Sequence, residues 1–370
     1  TMSRLTQALF DPAALRHNLQ VVRRKVPASR ILAVVKANAY GHGIVASARA
    51  LHGADAFAVA CIEEALGLRN AGIRQPIVLL EGFFAAEELP LLVEHRLQTI
   101  IHDFAQIEQL QRSRLAAPLE VWLKIDTGMH RLGFAPREAK EAWGKLMACA
   151  QVAKPVRLMT HLACADERDN PMTPAQIRRF TAAVEGLPGA RSIANSAGIL
   201  AWPQSHTEWV RPGLMLYGAS PFAGTTAQTH DLRPVMEFRS VLIRVNRCRA
   251  GDSVGYGATW RCPEDMLIGV VAAGYGDGYP RHAPTGTPVL VDGRSVPLVG
   301  RVSMDMSTVD LRGVPQPRIG APVVLWGREL PVEIVATHAD TIPYTLLTGI
   351  TARVKRAGLD ENFHGEWNLE

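Results

Sequence analysis

Lys36 stands at the end of an apolar run, Ile31 to Val35, and a glycine-punctuated polar turn follows it at once: Val34-Val35-Lys36-Ala37-Asn38-Ala39-Tyr40-Gly41-His42-Gly43. An amine at the end of a buried strand sits at low dielectric, which lowers its pKa and frees its lone pair. A nucleophile that forms a Schiff base needs that property. The same placement also suits a lysine that merely caps a strand and reaches solvent. Further along, other residues able to bind anions or move protons also follow apolar runs. Lys124 and Arg131 flank the end of one, in Lys124-Ile125-Asp126-Thr127-Gly128-Met129-His130-Arg131-Leu132-Gly133. His161 follows the next, then Asn195-Ser196-Ala197, then Arg211-Pro212-Gly213-Leu214. Singly, each is ordinary, because a serine after a strand is commonly a turn or cap residue. Their joint placement is what carries information.

The segments that carry these residues alternate between strand-like and helix-like over the first 230 residues. Asp11 is placed to cap a helix with Pro12 at its first position, and Leu15, Leu19 and Val22 share one face. Short apolar runs appear at Ile31–Val35, Ala56–Val59, Ile77–Leu80, Gln98–Ile101, Leu119–Ile125, Val156–Thr160, Arg191–Ala194 and Trp209–Arg211. Helical patterns separate most of them, such as Ile62–Ala71 and Pro136–Ala150. Eight strand–helix units predict an α/β fold with an N-terminal (β/α)8 TIM-type barrel over residues 1–232; a doubly wound open sheet is the runner-up. Active residues of such barrels sit at the C-terminal strand ends, and phosphate commonly binds after strands seven and eight. Ser196 and the backbone N–H groups near Gly213 and Leu214 are therefore candidate phosphate ligands. After about Leu232, short β-rich runs dominate, from Val235–Val245 to Val323–Trp326, with turn residues such as Asp292-Gly293 between them. This predicts a mainly β second domain over 233–370.

Composition narrows the classes. The 370 residues are 47% hydrophobic and 20% charged with a net charge of +5, enough for a large core and two domains. No basic block argues for nucleic acid, and no apolar run approaches the ~18 residues that span a membrane. Residues 1–11 lack a secretory apolar region. The five cysteines are scattered without a Cys-x-x-Cys pair, which indicates neither a metal site nor a disulfide framework and fits a reduced, cytoplasmic compartment.

With Tyr256 in Val254-Gly255-Tyr256-Gly257, and with Tyr217-Gly218, Gly274-Tyr275-Gly276-Asp277-Gly278-Tyr279, Gly300-Arg301-Val302-Ser303-Met304-Asp305 and Pro343-Tyr344, nearly the whole chain resembles the alanine racemases. These are pyridoxal phosphate (PLP) enzymes built from a barrel and a β domain. The resemblance implies PLP held as an internal Schiff base on Lys36. Tyr40, Ser196, Gly213, Leu214 and Tyr344 would hold its phosphate, and Arg211 would face the pyridine nitrogen. Arg131 would contact the phenolic oxygen and, with the Met304 N–H, the substrate carboxylate. Lys36 and Tyr256 would be the two catalytic acid–base groups on opposite faces of Cα. A tyrosine of pKa ~10 is a poor base at neutral pH unless tuned, and His161 and Arg211 are the neighbours that would tune it. Tyr256 would come from the other subunit, making an obligate homodimer whose β domain completes the partner's site. Lys124 matches a position that some members carry as a carbamate.

Two departures stand out: Thr345 follows Tyr344 where many relatives have Glu, and Gly276 stands where Ala is common. Tyr275 and Tyr279 read either as loop packing or as an entrance constriction. Competing readings are a broad-specificity amino-acid racemase, a non-catalytic PLP-binding barrel protein, and a fold-related decarboxylase. The last wants a strong electron sink, for which Arg211 is unsuited. D-alanine supply for peptidoglycan and D-alanine catabolism both remain open at this level.

Overall fold

Eight short, buried runs form the parallel strands of a closed barrel: β2 (Arg30–Val34), β3 (Ala56–Val59), β4 (Ile77–Leu79), β5 (Leu97–Ile101), β6 (Val121–Lys124), β7 (Arg157–Met159), β8 (Arg191–Ser192) and β9 (Trp209–Val210), with β9 pairing back to β2. The computed structural model describes residues 5–358. Strands buried on both faces read as continuous apolar runs, which is why the expected segments coincide with them. Among the described residues, the open-sheet alternative is excluded by the β2–β9 closure. The helix Pro12–Lys25 begins where expected, its first N–H groups capped by Asp11 Oδ1 at 2.8 and 3.0 Å.

The residues form two compact units: 16–39 with 43–216, and those up to Leu15 with 40–42 and from Tyr217 on. The second unit is built on β1 (Gln7–Phe10), β10 (Met236–Cys248), β11 (Ser253–Val254), β12 (Trp260–Arg261), β13 (Met266–Val271), β14 (Pro288–Val291), β15 (Arg294–Pro297), β16 (Ser307–Asp310), β17 (Pro322–Trp326) and β18 (Lys355–Ala357). Its main sheet runs β15-β14-β17-β10-β1-β18, with β13 branching from β10 and β16 pairing with β13. This corrects the expectation that residues 1–232 all belong to the barrel. Gln7–Phe10 pairs antiparallel with β10 and parallel with β18, because a strand of alternating burial finds its ladder partners there and not in the closed barrel. The residues at either end of the two expected domains, 1–4 and 359–370, lie outside the described residues. No helix of the described residues is long and apolar enough to cross a membrane, and all five cysteines are free.

Candidate active site

Five polar side chains emerge at the C-terminal strand ends of the barrel. Lys36 follows β2 and is half-buried; Lys124 is the last residue of β6 and is 7% exposed. His161 follows β7, Ser196 opens the segment after β8, and Arg211 follows β9 with 3% exposure. Lys36, Arg131 and Arg211 all act electrostatically on Lys124. Burial first, then these cations, lowers the Lys124 pKa to about 8, partly opposed by Asp126.

Arg211 is held by four acceptors on two neighbouring strand ends, those of β7 and β8. Nη1 donates to Ser192 Oγ at 2.6 Å; Nη2 donates to Thr160 O at 2.6 Å, to Ile193 O at 3.1 Å and to His161 Nδ1 at 3.1 Å. Nε makes no hydrogen bond among the described residues, so one donor of this fixed guanidinium remains available. Burial lowers the Arg211 pKa to about 10, which still leaves it charged at neutral pH. An arginine only donates, so Nδ1 of His161 must be the acceptor and Nε2 must carry the proton. Burial, followed by the Arg211 charge, holds the His161 pKa well below its ordinary value. The imidazole is therefore neutral.

A buried polar ladder supports this pair. Gln176, fully enclosed on the helix Met172–Ala183, donates from Nε2 to His161 O at 2.9 Å and to Thr127 Oγ1 at 3.1 Å, and accepts the Ala163 N–H at 2.8 Å. Thr127 Oγ1 lies 2.8 Å from Thr160 Oγ1, which donates to Ile125 O at 2.8 Å. The Thr160 proton is thus committed to Ile125, so Thr127 must donate to Thr160. Sequence reasoning missed Gln176, Thr127 and Thr160. Their only signal is polar residues beside strand ends, which the chain also has elsewhere.

The turn after Lys36 is left-handed. Ala37, Asn38, Ala39 and Tyr40 have φ of 52, 53, 54 and 52°. For residues with a Cβ this costs about 1–2 kcal/mol each, so the conformation is imposed by its surroundings. Gly41, with φ 83°, follows; a Cβ there would lie 2.1 Å from Leu347 O, so only glycine fits.

Ser196 Oγ already accepts the N–H groups of Gly213 (3.0 Å) and Met215 (3.2 Å). The Gly213 N–H, a candidate phosphate ligand, is thus already engaged by Ser196; the Ser196 hydroxyl proton and the Leu214 N–H are the donors left for an anion. Arg131 is exposed in the loop organised by Asp126, whose Oδ1 accepts from Gly128 N (2.9 Å) and His130 N (3.1 Å).

In the second unit, Tyr40 stacks on Tyr217 (4.7 Å) and lies 5.9 Å from Tyr344. Burial, then Tyr344, raises the Tyr40 pKa. Tyr256 is 67% exposed and Met304 54% exposed. The Met304 carbonyl accepts Gly276 N at 2.8 Å and Arg353 Nη2 at 3.2 Å, while Arg353 also pairs with Asp277 (2.9 Å) and Asp305 (2.7 Å). A Cβ on Gly276 would meet Arg353 Nη2 at 2.6 Å, which gives the glycine at this position a local reason. Tyr279 is 1% exposed and stacked on Trp326 at 6.2 Å. It is core packing, not an entrance constriction.

With this geometry in hand, comparison with known proteins is specific. Residues 10–221 match the family model of the alanine racemase N-terminal domain, and residues 235–358 that of the C-terminal domain. The alanine racemase of Nitrosococcus oceani is 56% identical over 95% of this chain and 98% of its own. That of Aeromonas hydrophila is 55% identical over 94% and 97%. The crystal structure of the biosynthetic alanine racemase from Pseudomonas aeruginosa superposes with a TM-score of 0.93 at 46% identity, covering 96% of this chain and 99% of that one. The Acinetobacter baumannii enzyme superposes with a TM-score of 0.89 at 39% identity, covering 95% and 99%. The chain belongs to the alanine racemase family.

Proposed function

We propose that this protein is an alanine racemase that interconverts L- and D-alanine with PLP bound through Lys36. The observation that carries the reading is Arg211, enclosed and fixed by four acceptors with Nε unused. The donor set fits the cofactor: a strand-end amine for its aldehyde, the Ser196 hydroxyl proton for its phosphate, and a guanidinium N–H for its ring nitrogen. Bound PLP would supply electron withdrawal that makes the Cα proton of alanine removable.

The chain's own residues select the reaction. Arg211 donates a hydrogen bond but keeps its proton, so the ring nitrogen is not fully charged and electron withdrawal stays moderate. That disfavours transamination and decarboxylation and leaves proton exchange. Lys36 Nζ takes or returns the proton on the D face, and the Tyr256 hydroxyl does so on the L face. Arg131 and the Met304 N–H, which makes no hydrogen bond among the described residues, bind the carboxylate. Tyr40 and Tyr344 take the phosphate with Ser196, the Leu214 N–H and, shared, that of Gly213. His161, neutral and protonated at Nε2, can donate toward a phenolate and so ease deprotonation of Tyr256.

The proposal includes a cytoplasmic homodimer. The exposure of Tyr256 supports a tyrosine that completes its surroundings in a second copy of the chain. The biosynthetic role named for the P. aeruginosa relative is carried over as part of the proposal. The test is D-alanine formation from L-alanine by the purified protein with saturating PLP, run beside L-serine, L-lysine and L-arginine. Turnover of alanine well above the others is expected. Comparable rates on all four would favour the broad-specificity reading, and none on any would end both.

A further inference from the structure

The left-handed turn after Lys36 is held only in part by its own residues. Of its four residues only asparagine tolerates the conformation readily, and Ala37 and Asn38 are exposed, so burial does not hold them. A carboxylate from another element does. Glu64, on the helix Ile62–Asn70 that follows β3, accepts Ala37 N at 2.7 Å and Asn38 N at 3.4 Å through Oε1. Its Oε2 accepts Ala60 N at 2.9 Å, which fixes the carboxylate to its own loop. The rest of the turn is closed by Ala39 N to Val35 O (2.8 Å), Gly43 N to Asn38 O (2.9 Å) and Ile44 N to Asn38 Oδ1 (2.9 Å). The two N–H groups that directly follow Lys36 thus depend on Glu64.

We infer that Glu64 is a positioning residue for Lys36: its carboxylate clamps the first two amides of the strained turn and thereby sets the direction in which the Lys36 amine leaves β2. Hydrogen bonds from amides to a charged carboxylate are stronger than neutral ones, which suits a clamp that must outweigh unfavourable backbone angles. Without it, Ala37 and Asn38 relax toward right-handed angles and the amine loses its fixed aim. This deepens the reading of Lys36 as the residue that bonds PLP and rests on it.

The experiment uses the full chain freed of cofactor. The rate at which added PLP becomes fixed to Lys36 by borohydride is measured by peptide mass spectrometry, and hydrogen exchange reports the amides of Ala37 and Asn38. Glu64→Ala should slow labelling about tenfold or more, as loss of a charged hydrogen-bond acceptor implies, and should unprotect both amides. Glu64→Gln, which keeps one carbonyl acceptor, should fall between and covers the case in which the alanine variant does not fold. The discriminating arm is Ala37→Gly in the Glu64→Ala background. Glycine adopts positive φ without penalty, and Ala37 is exposed, so labelling should recover most of the loss. Wild-type labelling in Glu64→Ala, or no recovery with glycine at 37, overturns the inference. Absence of label at Lys36 in the wild type overturns the Lys36 reading instead. In that case the exchange of the two amides still decides whether Glu64 is the clamp.

Discussion

Arg211 Nη2 sits 3.1 Å from His161 Nδ1, and because arginine cannot accept, this one contact fixes the tautomer of the histidine. It also fixes its charge, since a cation at that distance, added to burial, keeps the ring neutral.

His161 should therefore stay uncharged through the range where an ordinary histidine titrates. In 15N NMR its resonances should not move between about pH 8 and 5.5. The unfolded chain binds a proton near pH 6.5 that the native state refuses, so the native state loses stability as pH falls through that value. His161→Gln should flatten that acid limb in a urea titration series. A histidine signal that titrates near 6.5 and belongs to residue 161 would contradict the tautomer assignment.

Lys124 follows the same sign in a higher window. Its folded pKa of about 8 lies below the unfolded value of 10.5, so the unfolded state holds more protons between them and stability rises with pH there. The cost at pH 7 is on the order of 2–3 kcal/mol for an enclosed amine. Lys124→Met should raise the melting temperature at pH 7 by several degrees and remove the rise between pH 8 and 10. No change in melting temperature would mean that an anion already compensates the amine, as a carbamate would.

Gln176→Leu leaves Thr127 and His161 O without their donor and the Ala163 N–H without its acceptor. Buried groups left unsatisfied cost about 1–3 kcal/mol each, so chemical denaturation should show a loss of several kcal/mol. If the ladder also aims His161 and Arg211, kcat should fall more than KM changes. Phe180→Leu, on the same helix but outside the ladder, should lose stability while kcat holds.

The proposed two-subunit site can be tested by mixing. Lys36→Ala and Tyr256→Phe proteins should each be inactive. After subunit exchange about half the dimers are hybrids with one intact site of two, so activity near one quarter of wild type is the ceiling. No recovery after verified exchange would place Tyr256 over the Lys36 of its own chain.

Buried parallel strands were legible because their signal is local. Ala56–Val59 has the same bounds in the structure as in the sequence, since four consecutive apolar residues between turns leave little else to be. Lys36 and Arg211 were legible for the same reason, as polar residues ending such runs. The left-handed turn was not: Ala37 to Tyr40 contains no glycine, and its conformation is set by Glu64 and Asn38 hydrogen bonds to residues several elements or positions away. The Gln176 ladder was not legible either, because Thr127 bonds to Thr160 and Gln176, 33 and 49 positions away, and these residues acquire meaning only when the strand ends converge. Tyr279 could be read two ways from the sequence, and only its burial against Trp326 decides for packing.

The place of β1 between β10 and β18 bears on how the protein is made. Gln7 is synthesised long before its ladder partners, Arg239 and Lys355. The barrel strands can find one another as they emerge, each within a few tens of residues of the next. β1 must wait, unpaired, until β10 and β18 have been synthesised. Contacts of such sequence separation close slowly and leave exposed edges meanwhile. Deleting Gln7–Phe10 would thus remove an interior strand, not trim a tail, and would leave the two edges it joins open to pairing with other nascent chains.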